Sequence, residues 1–136
     1  MRAYIGLGSN LGEREKTLRT ALDRLAANSA VEVVAVSTFR DTDPVGPIRD
    51  QPRFLNGVAA LETSLSPRRL LELLLEVETE LGRTRDGPPG GPRTIDLDLL
   101  LYEDVTLDEP GLQVPHPRLH ERDFVLEPLA ELGWTP

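Results

Sequence analysis

The sequence predicts an α+β protein with a βαββαβ core, in which helices pack on an antiparallel sheet. Its segments follow one another as strand, helix, strand, strand, helix, strand, which is the order of the split βαβ motif. The length of 136 residues fits one domain, so we expect a single domain over residues 1–136. In α+β proteins the helices are segregated from the sheet, and we expect them on one of its faces.

The first half of the chain contains three predicted elements and a long loop. A short apolar strand at 1–9 ends in turn-forming residues, and a helix over about 12–27 carries its leucines on one stripe of a 3.6-residue period. β-branched residues over 31–39 and an apolar run over 53–62 predict two strands. Between them the proline-rich segment 40–52 is long for a connection, and such loops are typical of functional lids.

The second half is predicted as helix, loop, strand and helix. Ser66 is an N-cap with proline after it, a leucine stripe follows, and Gly82 ends the helix. Residues 83–93 are rich in glycine and proline and have no periodicity, which predicts a loop. A strand at 94–102 and a last short helix over 121–132 complete the pattern.

Charge and composition exclude several classes of function. The formal net charge is −8, which argues against non-specific nucleic-acid binding. The chain has no cysteine, so disulfides, thiolate zinc sites and cysteine nucleophiles are excluded. No apolar run approaches the roughly 18 residues of a membrane-spanning helix. Because no secretion signal is visible either, we expect a cytoplasmic protein with no membrane partner.

Two carboxylates point to a metal site on the strand at 94–102. Asp96 and Asp98 share one face of that strand, with Cα atoms roughly 6–7 Å apart, a spacing compatible with a pair of metal ions. Oxygen ligands favour Mg²⁺ or Mn²⁺. The alternative is a solvated edge strand, but strands disfavour aspartate and neighbouring carboxylates repel, which a bound cation would offset. The apolar residues expected on the opposite face are Ile95, Leu97, Leu99 and Leu101.

Other side chains suggest a nucleotide and a flat ring as ligands. Phe54 and Asn56 share a strand face, where a ring and an amide can bind a heterocycle, or can instead be a core ring and a turn residue. Phe124 has the same two interpretations. The spacing of the β1 glycines does not match a dinucleotide-binding loop and favours tight packing. Basic residues on both sides of the aspartates suggest a triphosphate: Arg83, Arg85, Arg93, His116, Arg118 and Arg122.

Four sequence motifs occur together and carry a family resemblance. They are Gly8-Ser9-Asn10-Leu11-Gly12, Asp50-Gln51-Pro52-Arg53-Phe54-Leu55-Asn56, Gly91-Pro92-Arg93-Thr94-Ile95-Asp96-Leu97-Asp98 and Val114-Pro115-His116-Pro117-Arg118. With them the chain closely resembles 6-hydroxymethyl-7,8-dihydropterin pyrophosphokinases of folate synthesis, from about residue 3 to 132. The resemblance implies a ferredoxin-like fold and transfer of the β,γ-diphosphate of ATP to the pterin hydroxymethyl group, with release of AMP.

The resemblance also implies roles for individual residues. Asp96 and Asp98 would hold two Mg²⁺ ions, and Arg83 and Arg93 would close over the phosphates as catalytic residues. Phe54 and Phe124 would sandwich the pterin. The other residues implied at the pterin are Pro44, Val45, Gly46 and Asn56, and those implied at the nucleotide are Glu78, Arg85, Leu99, His116 and Arg122.

Two departures from the family pattern concern the nucleotide. The chain has Pro88-Pro89-Gly90-Gly91 where family members often carry an aromatic residue, and Pro117 where an aromatic residue commonly follows the Val-Pro-His motif. The residues alone leave two other functions open. A D-x-D nucleotidyl or glycosyl transferase would use the aspartates without needing Phe54 and Asn56, and a non-catalytic ferredoxin-like interaction module would need neither pair.

Overall fold

The computed structural model describes residues 1–43, 51–82, 95–119 and 122–135. Ten elements follow one another along the chain. They are β1 (Arg2–Ser9), α1 (Arg14–Ala26), β2 (Val31–Val36), β3 (Arg40–Thr42), β4 (Phe54–Thr63), α2 (Pro67–Glu80), β5 (Asp96–Tyr102), β6 (Leu107–Glu109), β7 (Leu112–Val114) and α3 (Asp123–Glu131).

The main sheet has the strand order β2-β4-β1-β5, and every pair in it is antiparallel. Short β3 continues the β2 side by pairing with the first residues of β4, from Phe54 to Asn56. β6 and β7 form a separate hairpin. This order, with a helix after the first and third core strands, confirms the predicted α+β, ferredoxin-like fold.

The helices lie on both faces of the sheet, so the expectation of one helical face was wrong. Helices α1 and α2 bury their leucines against one face, with Ile5 and Leu61 among the buried strand residues. Helix α3 covers the other face, where Val125 and Leu129 pack with Val58 and Leu100. The second face is itself apolar in the middle of β4 and β5, and it therefore requires a cover.

Helix α2 begins and ends where its capping residues predict. The Ser66 side chain accepts a hydrogen bond from the Arg69 N–H at 3.2 Å, and Pro67 takes the first helical position. Gly82 follows the helix with φ +89°, a left-handed conformation that glycine adopts without a steric penalty. In α3, Pro128 lies inside the helix and does not interrupt it.

One irregularity changes which β5 residues face the core. The pairing of β1 with β5 shifts between Tyr4 and Ile5, which leaves one extra residue in β5. Leu97 and Leu99 pack beneath α1 and α2 as predicted, but Leu101 packs with Leu100 in the α3 cluster. The prediction for Leu101 was wrong because a bulge reverses the alternation of side chains.

A carboxylate at the end of α3 ties that helix to the β2–β3 connection. Glu131 accepts hydrogen bonds from the backbone N–H of Thr38 at 2.7 Å and from its hydroxyl at 3.0 Å. Its other oxygen accepts from Arg40 at 2.8 Å. The Thr38 N–H bond is the largest of the effects that lower the pKa of Glu131. Among the described helices, none is long and apolar enough to cross a membrane.

The lowered pKa of Glu131 predicts a pH-dependent contribution to stability. A carboxyl with a depressed pKa in the folded state stabilises the fold fully above its unfolded pKa of about 4.3, and the stabilisation disappears as pH falls through the folded value. We expect Glu131→Gln to lower the melting temperature at neutral pH and to have a smaller effect near pH 3. Glu127→Gln, at an exposed site on α3, is the control. Equal effects of Glu131→Gln at both pH values would contradict the assignment.

Candidate active site

A cavity lies between the sheet and the start of α3, and it brings together residues that are far apart in the sequence. Its volume is about 590 Å³, including space open to solvent. Phe54 and Asn56 of β4 line the sheet side, and Phe124 of α3 lines the other side. Asp96 and Asp98 line the same cavity. The structure therefore places both predicted ring residues, the amide and the carboxylate pair around one space.

The Asn56 carboxamide has a defined orientation in this cavity. Its Nδ2 donates a hydrogen bond to the hydroxyl of Thr42, at the end of β3. Its Oδ1 lies over Gly8 of β1, because a Cβ built on that glycine would be 2.6 Å from this oxygen. Thr42 and Asn56 thus form a polar pair, and an amide in this position can both donate to and accept from a ligand.

The strand register sets the distance between the amide and the aspartates. Gly8 pairs with Asn56 on β4 and with Asp96 on β5. In the next row of the same face, Gly6 pairs with Val58 and Asp98. The aspartates are therefore two strands away from the amide, separated by a strand that carries no side chains at these two positions.

Glu78 is a buried carboxylate below the aspartate pair. It lies on α2, is 2% exposed, and accepts a hydrogen bond of 2.7 Å from the backbone N–H of Leu97. Leu97 is the residue between Asp96 and Asp98, so this bond fixes the β5 backbone where the two carboxylates project. A hydrogen bond to a charged acceptor in a buried site is among the stronger ones in proteins.

A second cleft adjoins the cavity on the other side of β5. Leu99, His116 and Pro117 line it together with Leu71 of α2 and Leu112 of β7. Asp98 lines both this cleft and the cavity. The β6–β7 hairpin supplies much of the wall, including the acidic residues Asp108 and Glu109. A ligand in each space would approach the other at Asp98.

His116 is neutral at neutral pH. Burial lowers its pKa, and the charges of Arg122 and Arg118 lower it further, although Asp96 raises it. Its Nδ1 accepts a hydrogen bond of 3.2 Å from the backbone N–H of Arg118. The proton of the neutral ring is therefore on Nε2, which leaves this side chain as a hydrogen-bond donor.

Arg122 lies at the start of α3, beside the ring of Phe124. Its guanidinium carbon is 5.5 Å from the ring centroid, within the range of a cation–π contact. Its Nε is buried and, among the described residues, has no hydrogen-bond partner. Arg122 lines the cavity and not the second cleft. Its charge therefore lies close to the aspartate pair as well as to the ring.

Comparison with known proteins decides among the functions that the residues left open. The family model described as 7,8-dihydro-6-hydroxymethylpterin-pyrophosphokinase (HPPK) matches residues 4–133. The chain belongs to the HPPK family. Its activity is therefore the pyrophosphokinase activity of that family, in folate synthesis. This excludes both the D-x-D transferase of another class and the non-catalytic interaction module.

Relatives of the HPPK family resemble this chain over nearly all of its length. A protein of Bacillus subtilis named 2-amino-4-hydroxy-6-hydroxymethyldihydropteridine pyrophosphokinase is 52% identical over 96% of this chain and 77% of its own. A Pseudomonas aeruginosa protein of the same name is 50% identical over 97% of this chain and 80% of its own. The folate synthesis bifunctional protein of Arabidopsis thaliana is 42% identical, over 96% of this chain and 27% of its own.

Several residues implied by the HPPK resemblance lie outside the described residues. They are Pro44, Val45 and Gly46 on the pterin side, and Arg83, Arg85 and Arg93 on the phosphate side. The remaining ones divide between two places. The cavity contains Phe54, Asn56, Asp96, Asp98, Arg122 and Phe124, the second cleft contains Asp98, Leu99 and His116, and Glu78 lies below β5.

Sequence reasoning missed Thr42, Gly8 and the β6–β7 hairpin. Thr42 was assigned to a loop, and only its strand pairing with Phe54 shows that it faces Asn56. The hairpin had a sequence signal in the turn Pro110-Gly111, where the glycine has φ +74°. The glycines of β1 were interpreted as tight packing, and at Gly8 the packing is against the site itself.

Proposed function

We propose that the cavity binds the dihydropterin and the second cleft binds ATP, so that the two substrates meet at Asp98. The observation that carries this proposal is that Asp98 lines both spaces. The hydroxymethyl oxygen of the pterin attacks the β-phosphorus of ATP, the bond from that phosphorus to the α,β-bridging oxygen breaks, and AMP leaves. The hydroxyl proton is released, so no oxidant or further reactant is needed.

The pterin proposal is supported by the pairing of two rings with one amide. Phe54 and Phe124 come from opposite sides of the cavity, and aromatic side chains bind flat heterocycles by stacking. Asn56, oriented by Thr42, would form hydrogen bonds with the edge of the ring. Arg122, which lies beside Phe124, would contact the phosphates and hold that ring in place.

The second cleft fits a nucleotide because it combines apolar and polar groups. Leu71, Leu99 and Leu112 offer apolar contacts for a base, and the N–H of His116 would donate to a phosphate or ribose oxygen. Glu78 acts here by holding the β5 backbone rather than by contact, since its carboxylate is buried under that strand. Arg83, Arg85 and Arg93 keep the phosphate roles implied by the resemblance.

The aspartate pair fits Mg²⁺ bound together with a nucleotide. Among the described residues, no group of three or more His, Asp or Glu side chains could hold a metal ion alone. Mg²⁺ commonly takes one or two carboxylates and completes its coordination with water and substrate phosphates. We infer that Asp96 and Asp98 would hold two Mg²⁺ ions in this way. Bound there, the ions would neutralise charge on the transferring phosphates.

The proposal extends to the extent of the domain and its environment. We propose that residues 1–136 are a single pyrophosphokinase domain, supported by the family match over residues 4–133. A cytoplasmic location is supported by the absence of a secretion signal in the sequence and by the cytoplasmic use expected of ATP. The net charge of −8 supports small-molecule substrates over nucleic acid.

A titration of Mg²⁺ tests whether two ions are used. At fixed ATP and pterin, we expect AMP release to continue rising after enough Mg²⁺ has been added to convert all ATP to its Mg²⁺ complex. Reactions without pterin and with EDTA are the controls, and neither should release AMP. If the rate is already maximal when all ATP is complexed, the proposal of a second ion is wrong.

A further inference from the structure

We propose that Gly8 is a specificity-determining residue for the pterin, because its missing side chain provides the space in which the Asn56 carboxamide lies. This inference rests on the proposed role of Asn56 at the pterin edge. Gly8 pairs with Asn56 on one side and with Asp96 on the other. It therefore lies on the direct path across the sheet from the amide to the aspartates.

The geometry at Gly8 leaves no room for a methyl group while Asn56 keeps its position. A Cβ on Gly8 would be 2.6 Å from Asn56 Oδ1, far inside the contact distance of carbon and oxygen. The nearest atom of Phe54, Cδ1, would be 3.8 Å away, which is ordinary contact. A methyl group at this site would therefore displace the amide and leave the aromatic ring where it is.

Displacing the amide breaks a second interaction. Asn56 Nδ2 donates to the hydroxyl of Thr42, and β3 holds Thr42 beside Phe54. Two contacts thus define the amide plane: the hydroxyl of Thr42 at one end and the bare backbone of Gly8 at the other. Rotating the carboxamide changes the directions of both its donor and its acceptor, on which recognition of a ring edge depends.

Gly6 offers a matched control in the same strand. It lies two residues earlier on the same face, and a Cβ there would meet only Leu100 side-chain atoms, at 3.6 Å or more. Among the described residues the glycines with positive φ are Gly12, Gly82, Gly111 and Gly133, so neither strand position demands glycine for its backbone. An effect specific to position 8 therefore comes from the contact with Asn56.

A double-mutant cycle tests the inference. The variants are Gly8→Ala, Asn56→Ala, the two combined, and Gly6→Ala, each measured for dissociation constants of the pterin and of a non-hydrolysable ATP analogue. We expect Gly8→Ala to weaken pterin binding about tenfold, as for loss of an oriented hydrogen-bonding group, with ATP-analogue binding within about twofold. In the Asn56→Ala background Gly8→Ala should cost no more than about twofold, because the obstructed atom is gone.

The outcomes separate the inference from the proposed site. If Asn56→Ala leaves pterin binding unchanged, the proposed role of Asn56 fails, and this inference fails with it. If Asn56→Ala weakens binding but Gly8→Ala does not, or if the two effects multiply in the combined variant, only the inference is overturned. Should Gly8→Ala fold poorly, its effect in the Asn56→Ala background, where the clash is absent, still decides the matter.

Discussion

Replacing Asp96 or Asp98 with asparagine is expected to lower kcat about a thousandfold or more. Each change removes one negative charge from the place where both spaces meet, and removing a single group that stabilises transition-state charge typically has an effect of this size. The fold should be retained, because both side chains are only half-buried and two same-face carboxylates on a strand repel. Steady-state AMP release and thermal unfolding measure the two effects separately.

The matched control for the aspartates is Asp104→Asn. Asp104 is exposed and follows β5 directly, so it shares the sequence neighbourhood but not the cavity. Its replacement should leave kcat within about twofold, as is usual for exposed positions. Retained activity in both Asp96→Asn and Asp98→Asn would show that the pair is a solvated strand face and that the catalytic metal site lies elsewhere.

Replacing Phe124 with alanine is expected to weaken pterin binding by between about tenfold and a hundredfold. Stacking of a heterocycle on an aromatic side chain contributes roughly 1–3 kcal/mol, and each 1.4 kcal/mol is a factor of ten. Phe124 is half-buried at the first turn of α3, so its removal creates less of a core cavity than removal of Phe54, which is 8% exposed. Binding of the ATP analogue should not change.

Phe39→Ala is the control for loss of an aromatic ring. Phe39 packs against Gly57 from the opposite face of β4, where a Cβ on that glycine would be 2.5 Å from the ring. This variant should melt at a lower temperature and should bind the pterin within about twofold of the parent, since it removes packing and not the site. If Phe124→Ala and Phe39→Ala weaken pterin binding equally, the ring sandwich is not the source of affinity.

The sequence predicted the features that depend on local periodicity and capping. The alternation of β4 placed Phe54 with Asn56, and that of β5 placed Asp96 with Asp98, because neighbouring strand residues point to opposite faces. Helix α2 followed directly from Ser66 and Gly82. These features need no knowledge of what packs against them.

The features that failed depend on tertiary contacts or on a local defect in pairing. The position of α3 on the far face follows from the apolar middle of that face and not from the helix sequence. The bulge in β5 moved Leu101, and a period-two pattern cannot contain a bulge. The bond between Thr42 and Asn56 joins two strands across a connection, and the buried position of Glu78 under Leu97 depends on how α2 meets β5.

The central claim is that the pterin and the aspartate-bound metal share one cavity. Mn²⁺ in place of Mg²⁺ makes this measurable, because it shortens the NMR relaxation times of nearby ligand protons. With Mn²⁺ and a non-hydrolysable ATP analogue bound, we predict strong broadening of the pterin hydroxymethylene protons, and its loss in Asp96→Asn and Asp98→Asn at saturating pterin. Sharp hydroxymethylene resonances in the fully assembled parent complex would contradict the account.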